Sequence, residues 1–335
     1  MPRLPNPEPL PMNIPLSVRC VRPFFVAAPL VCALLLAGCA GHLIDRGAYF
    51  ADTAHRSASE DSRVRFLVMH YTAGDEARSL TELTTMDVSA HYLVPEHPPL
   101  RDGRPVIPQL VPESLRAWHA GASCWQGTTE LNAASIGIEN VNLGPRDTPQ
   151  GRVWQPYPPD QVDALIRLAK DIVARYQIPP TRVVGHSDIA PQRKTDPGPL
   201  FPWKALYDAG VGAWPDPATV TAELAGRAPD APADVRALQW KLARYGYDVA
   251  LDGVLDARTR RVFAAFQMHF RPRDYSGVPD AQTDAIAQAL LDKYLPDEAH
   301  EREPAAPAPE PDADSGDGSG DGNAGGSGGC LAQLR

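Results

Sequence analysis

Basic charge is in short supply in this chain. Its 335 residues carry 32 Lys and Arg against 41 Asp and Glu, a formal net charge of −9. That balance argues against a nucleic-acid partner, which needs a basic face to neutralise phosphate. Cysteine is scarce too, five in all, with no CxxC pair and no zinc-finger spacing. No HExxH motif is present, and no long internal repeat. Proline, by contrast, is abundant at 36 residues, about twice ordinary usage, which implies extended loops and linkers. A hydrophobic fraction of 43% suffices for a packed core, and the length suggests two domains.

The apolar stretch FFVAAPLVCALLLAG at 24–38 follows Arg19 and Arg22. A basic start and a short apolar run read as a secretory signal, too short for a comfortable membrane span. It ends in Leu36-Ala37-Gly38-Cys39, which resembles a bacterial lipobox, with cleavage before Cys39 and a lipid on that cysteine. The proline-rich stretch ahead of Arg19 leaves both Met1 and Met12 open as the start. Ala40 rather than aspartate after the cysteine favours the outer membrane. The expectation is a lipoprotein anchored there and facing the periplasm, since several acyl chains hold a protein on a membrane without spanning it. Without 1–38 the chain has 29 basic and 40 acidic residues, or −11. Only Cys124 and Cys330 then remain as thiols. Cys330 lies in a tail expected to be disordered, which disfavours a disulfide, so Cys124 reads as a buried apolar thiol without a role.

The expected organisation is a signal peptide at 1–38, a polar leader or tether at 39–62, a mixed α/β domain at 63–214, a linker at 215–232, a small three-helix domain at 233–295, and a tail at 296–335. From Glu301 to Gly329 there is no aromatic and no Val, Ile, Leu or Met, too little apolar surface to offset ordering entropy. Within 63–214, Val64–His70 is a β-type run, with further strands predicted at Val88–Val94 and Val106–Val111. Ser135–Val141 alternates apolar and polar residues as a half-buried strand does. A helix is predicted at Arg78–Met86. The clearest helix is Asp160–Gln177, where Leu165, Ala169 and Ile172 share a face and Pro179-Pro180 stop it. Alternating strands and helices imply a sheet covered by helices.

Three segments carry chemistry. His70 ends the first strand, Glu139 lies on a later one, and 185–199 is a proline-stiffened loop holding His186, Lys194 and Asp196. Two imidazoles and a carboxylate suit zinc, and three protein ligands leave a fourth position for water, whose pKa then falls to about 7. Glu139 is the candidate to pass a proton to a leaving amine, and Lys194 to stabilise an oxyanion. On the residues alone other readings stand beside these: a hydrogen-bonded structural histidine, a solvent-facing Glu139, and a surface Lys194–Asp196 ion pair.

GHSDIAPQRKTDPGPLFPW at 185–203, FLVMHYT at 66–72 and SIGIENVN at 135–142 resemble the zinc N-acetylmuramoyl-L-alanine amidases of the type-2 amidase family, and within it the AmiD-like outer-membrane lipoproteins. The resemblance covers roughly 63–214. It implies a mixed β-sheet flanked by helices, zinc ligands at His70, His186 and Asp196, and catalytic roles for Glu139 and Lys194. It also implies a cleft-lining, substrate-binding place for His119, while His91 reads as a packed strand histidine. The implied reaction cuts the amide between N-acetylmuramic acid and L-alanine in peptidoglycan or muropeptides, for cell-wall turnover or recycling. The rivals are a non-catalytic peptidoglycan-binding protein and a zinc peptidase cutting the stem peptide. Some relatives on this fold that bind without cleaving lack a zinc ligand, and here the set is intact.

The second domain shows three apolar stripes: Val235, Leu238, Leu242 and Tyr245; Val262, Phe263, Phe266 and Phe270; and Ile286, Leu290 and Leu291. They predict a small bundle. VRALQWKLARYGYDVALDGVLDARTRRVFAAFQ and GVPDAQT resemble the peptidoglycan-binding three-helix domain, and no binding residue can be named from that match. The chain is expected to act as a monomer.

Overall fold

The computed structural model describes residues 42–85 and 87–299. The expected signal peptide, the lipidation candidate Cys39, Cys330 and the tail beyond residue 299 lie outside the described residues. Residues up to Asp61 form one unit and those from Ser62 another. In the first, Leu43–Asp45 pairs antiparallel with Phe50–Asp52 as an exposed ribbon.

The second unit is built on four strands: β1 (Phe66–Tyr71), β2 (Tyr92–Val94), β3 (Ser135–Asn140) and β4 (Val183–Gly185), in spatial order β4-β1-β3-β2. All three pairings are parallel. An antiparallel bridge from Tyr92 to Gln109 gives the sheet edge its mixed character. Parallel sheets are covered on both faces, which explains why FLVMHY is buried almost throughout. Alternation assigns its residues to faces. Leu67 and Met69 join Ile136 and Ile138 in one core with Leu165, Ala169 and Ile172 of the helix α2 described below. Phe66 and Val68 face the other way.

The helices are α1 (Glu76–Thr85), α2 (Pro159–Tyr176), α3 (Trp203–Asp208), α4 (Pro217–Leu224), α5 (Val235–Tyr245), α6 (Ala257–Phe270) and α7 (Ala281–Tyr294). Proline opens α2 at its first turn, where no N–H is needed, and left-handed Gln177 closes it, its N–H donating to Val173 O. Asp234, Asp256 and Asp280 each cap a helix of the C-terminal region by accepting a third-residue N–H, a cap typically contributing about 1 kcal/mol.

Five expectations need correction. Val106–Val111 is not a strand: Pro108 has no N–H to give a ladder, and only the Gln109 bridge forms. The strand predicted over Val88–Val94 is confined to Tyr92–Val94. The stretch 215–232 holds α4, with Pro217 in its first turn, and a further helical turn occupies Pro296–Ala299. Cys124 is disulfide-bonded rather than a free thiol, and its partner lies outside the described residues.

The C-terminal helices are not a separate bead. Phe66, Val68, Trp125, Leu131, Val184 and Ile189 share one continuous core with Leu238, Tyr247, Phe263, Phe266 and Leu290. The sheet face opposite α2 is thus packed against the second helical region. Phe263→Ala is expected to cost about 3–5 kcal/mol and to lower one cooperative unfolding transition, followed by calorimetry. Two transitions, only one of them shifted, would contradict the shared core.

Candidate active site

The parallel register pairs Phe66 with Ser135, Val68 with Gly137, and His70 with Glu139. His70 and Glu139 therefore stand side by side at the carboxyl ends of adjacent central strands, where parallel sheets place ligands. β4 ends one residue before His186, so the third strand delivers its histidine to the same edge. The 186–199 loop then returns Asp196. Ser187 N–H donates to Asp196 O at 2.8 Å, and Tyr157 donates its hydroxyl to Pro197 O at 2.8 Å.

These elements bring three donor atoms together. His70 Nδ1 lies 3.0 Å from His186 Nδ1 and 3.0 Å from Asp196 Oδ2, and His186 Nδ1 lies 3.1 Å from that same oxygen. All three residues are buried. Two imidazoles and a carboxylate converging at such distances make a donor set that suits a metal ion.

The proton positions can be traced. His186 Nε2 lies 3.1 Å from Ala120 O and 3.2 Å from Arg193 Nη2; in the tautomer that donates to the carbonyl, Nδ1 keeps its lone pair. For His70 the chain is longer. Ser135 donates its hydroxyl to Leu131 O at 2.6 Å, so its oxygen accepts from His119 Nε2 at 3.1 Å. His119 Nδ1 must then accept from His70 Nε2, at 3.0 Å, and His70 Nδ1 is left unprotonated toward the cluster. Both rings hold the tautomer that ligation by Nδ1 requires. Gly137 is fixed by the same chain, since a Cβ there would sit 2.5 Å from the His119 ring.

Electrostatics agree with a cation site. Burial and the neighbouring His186 push His70 down to about 4, so it is neutral, as a metal ligand must be. Burial and His70 push His119 well below its usual value. Burial alone would raise Asp196, but His186 and His70 outweigh it and hold the carboxyl well below the usual range. Glu139 moves the other way. Burial and the Asp196 charge push it up to about 8, against the pull of Lys194. Its Oε2 is hidden from solvent with no hydrogen-bond partner.

A cavity of about 380 Å³ is lined by Tyr71, Glu139, His186, Lys194 and Asp196, with His119 at its wall. Glu139 is thus part-buried against this cavity rather than on an open solvent face, whereas Ser135 and Asn140 turn to His119 and to His70 O. His119 borders the cavity, but both its nitrogens are spent on His70 and Ser135. His91 is wholly buried, accepting from Gly137 N–H at 3.0 Å and donating to Leu115 O at 3.2 Å. Sequence reasoning missed Ser135, Asn132 and Asn140. Asn132 Oδ1 accepts the His119 and Ala120 N–H groups, and Asn140 donates to His70 O at 2.8 Å. Ser135 and Asn140 lie inside the SIGIENVN string, which was their only sequence signal.

Residues 60–199 match the family model of N-acetylmuramoyl-L-alanine amidase, and 232–286 match that of a peptidoglycan binding domain. The N-acetylmuramoyl-L-alanine amidase AmiD of Escherichia coli is 54% identical over 264 residues, covering 78% of this chain and 95% of that protein. The 1,6-anhydro-N-acetylmuramyl-L-alanine amidase AmpD of Enterobacter cloacae is 39% identical over 126 residues, 38% of this chain and 59% of its own. Among solved structures, E. coli AmiD in complex with the substrate anhydro-N-acetylmuramic acid-L-Ala-D-gamma-Glu-L-Lys superposes with a TM-score of 0.73 at 53% identity, covering 76% of this chain and 98% of that one. AmpDh3 of Pseudomonas aeruginosa gives 0.64 at 44% identity, covering 75% and 98%.

The raised Glu139 sets a pH dependence for the metal-free chain. A carboxyl whose folded pKa, about 8, exceeds its unfolded value of 4.5 favours folding below the lower value and loses that contribution as pH rises through the higher one. Glu139→Gln has no such loss. Its melting temperature should therefore rise relative to the unsubstituted chain between pH 5 and pH 9, and a constant difference would contradict the assignment.

Proposed function

The chain belongs to the N-acetylmuramoyl-L-alanine amidase family, and on that premise we propose a zinc amidase whose metal is held by His70 Nδ1, His186 Nδ1 and Asp196 Oδ2. The enzyme hydrolyses the amide between N-acetylmuramic acid and L-alanine in peptidoglycan or muropeptides. The single observation that carries the metal reading is the buried triangle of two imidazole Nδ1 atoms and one carboxylate oxygen, each edge 3.0 or 3.1 Å. Zinc bound there supplies Lewis acidity, making water nucleophilic near neutral pH and polarising the scissile carbonyl.

The chain's own residues do the rest. Glu139 takes the proton of the attacking water and hands it to the alanine nitrogen as the C–N bond breaks. A carboxyl pushed up to about 8 is matched to both halves of that transfer near neutrality. The Lys194 ammonium, in the same cavity, stabilises the oxyanion that develops on the carbonyl oxygen. His119 holds His70 in its ligating tautomer rather than reading substrate, since neither of its nitrogens is free. The complete donor set weighs against a binding-only relative. A zinc peptidase cutting the stem peptide would use the same metal, and the mass of the products separates it: the amidase releases peptides that begin with L-alanine and glycan that keeps its lactyl group.

The cellular setting belongs to this proposal. The lipobox Leu36–Cys39 and Ala40 support a lipid on Cys39 and an outer-membrane position facing the periplasm, for a monomeric enzyme of cell-wall turnover or recycling. Among the described residues no helix is long and apolar enough to cross a membrane. The C-terminal peptidoglycan-binding match supports a second hold on the wall.

Glu139→Gln should keep zinc and sacculus binding near normal while turnover of a muropeptide falls by about 10²–10⁴-fold. Turnover close to that of the unsubstituted enzyme would return Glu139 to the ordinary strand residues. His186→Ala should lose zinc and activity together, and full zinc occupancy with full turnover would overturn the ligand assignment. Cys39→Ser should leave the protein in the soluble fraction; firm retention in outer membranes would reject this anchor.

A further inference from the structure

Asp188 lies two residues past the proposed ligand His186, yet has no part in the chemistry above. Its carboxylate is 1% exposed and accepts three hydrogen bonds. One comes from within the turn, Gly185 N–H to Oδ2 at 2.7 Å. The other two come from the C-terminal helical region. Tyr247, just after α5, donates its hydroxyl to Oδ1 at 2.6 Å, and His269 of α6 meets Oδ2 with Nδ1 at 2.8 Å. Both donors are buried and fixed by aromatic neighbours. Tyr247 packs edge-on against Trp125, centroids 4.8 Å apart. His269 is stacked between Trp203 at 3.7 Å and Phe270 at 4.0 Å. Its Nε2 has no partner, so Nδ1 carries the proton that faces Asp188.

The turn so held is the one that aims His186. Asp188 closes residues 186–189 into a single helical turn by capping Gly185 N–H. Ser187 N–H ties that turn to Asp196 O, and Ala190 O accepts from Arg193 and Lys194 N–H. Two proposed zinc ligands and the proposed oxyanion-stabilising lysine therefore hang from one backbone unit. Besides Gly185, the side-chain donors on its buried carboxylate belong to the other region of the chain.

We propose that Tyr247 and His269 are positioning residues for the metal centre. Through Asp188 they hold the 185–190 turn in ligating geometry, so the peptidoglycan-binding-like region completes the catalytic half besides gripping the wall. The zinc part of this inference rests on the metal reading above. Groups bonded directly to a metal ligand typically govern about 10–100-fold in metal affinity or activity; Tyr247 and His269 act one step further out, through Asp188, so their effect belongs at or below the lower end of that range.

The test uses the full mature chain and three variants. Tyr247→Phe deletes one oxygen. His269→Leu removes the ring donor but keeps apolar volume. His269→Asn keeps an N–H donor near the place of Nδ1. Two quantities are read well below the melting temperature: zinc release to a chelator, and amide hydrogen exchange of residues 185–190 in zinc-free protein, with β1 as the internal reference. Zinc release should quicken by up to about 10-fold in His269→Leu and less in Tyr247→Phe, with His269→Asn restored toward normal. Exchange at 185–190 should quicken while β1 is unchanged. Unchanged release and exchange alongside a lowered melting temperature would make these contacts ordinary core and overturn the proposal. So would a His269→Asn variant as defective as His269→Leu. If His269→Leu does not fold, Tyr247→Phe alone decides. An unsubstituted chain that takes up no zinc would sink the metal reading, and exchange in the metal-free protein would still decide the positioning claim.

Discussion

The site depends on keeping Asp196 ionised out of water. A carboxylate buried alone would take up a proton rather than bear the loss of solvation. With no cation bound, the charge and N–H donation of His70 and His186, both at hydrogen-bond distance, hold it in its charged form. Ligation asks something different of the two rings: each must have its other nitrogen satisfied from behind, so that its Nδ1 lone pair is left for a cation, which would then stabilise the carboxylate. Ala120 O does this for His186, and the run from His119 through Ser135 to Leu131 O does it for His70. The charge that results has a second effect. Added to burial, the larger cause, it raises Glu139, the register partner of His70, so one buried carboxylate both supplies a ligand and helps tune its neighbour for proton transfer.

Parallel strands make this possible. Three strand ends meet at one edge of the sheet, and covering both faces buries the strands that carry them. One cover is α2. The other is the C-terminal helical region, which shares the core around Trp125, Tyr247 and Phe263. The two regions that match separate family models are therefore physically one body among the described residues from Ser62, with Asp188 at their junction.

Much of this was legible in the sequence. β1, α1, α2 and the three apolar stripes follow from periodicity, and the loop string at 185–203 pointed to the donor set. What escaped did so for physical reasons. SIGIEN alternates like a half-exposed strand, but its Glu139 faces a site cavity and its Ser135 backs His119, and alternation cannot tell either from a solvent-facing position. Pro217 read as linker chemistry, although proline in a first helical turn costs nothing. The apolar run from Val106 read as a strand, although Pro108 breaks its ladder. Periodicity marked Tyr245, Phe263 and Phe266 as buried without saying that they share a core with Phe66 and Trp125 of the sheet region. The direction of the protons around His119 needs distances, which no spacing encodes.

The central claim is that a metal sits between His70 Nδ1, His186 Nδ1 and Asp196 Oδ2. Anomalous diffraction at the zinc edge from crystals of the zinc-loaded enzyme tests it most directly. The account predicts one peak at about 2.0–2.2 Å from each of those three atoms, with both imidazoles bound through Nδ1. A peak elsewhere, or ligation through Nε2 with His119 and Ala120 O released from the rings, would contradict it.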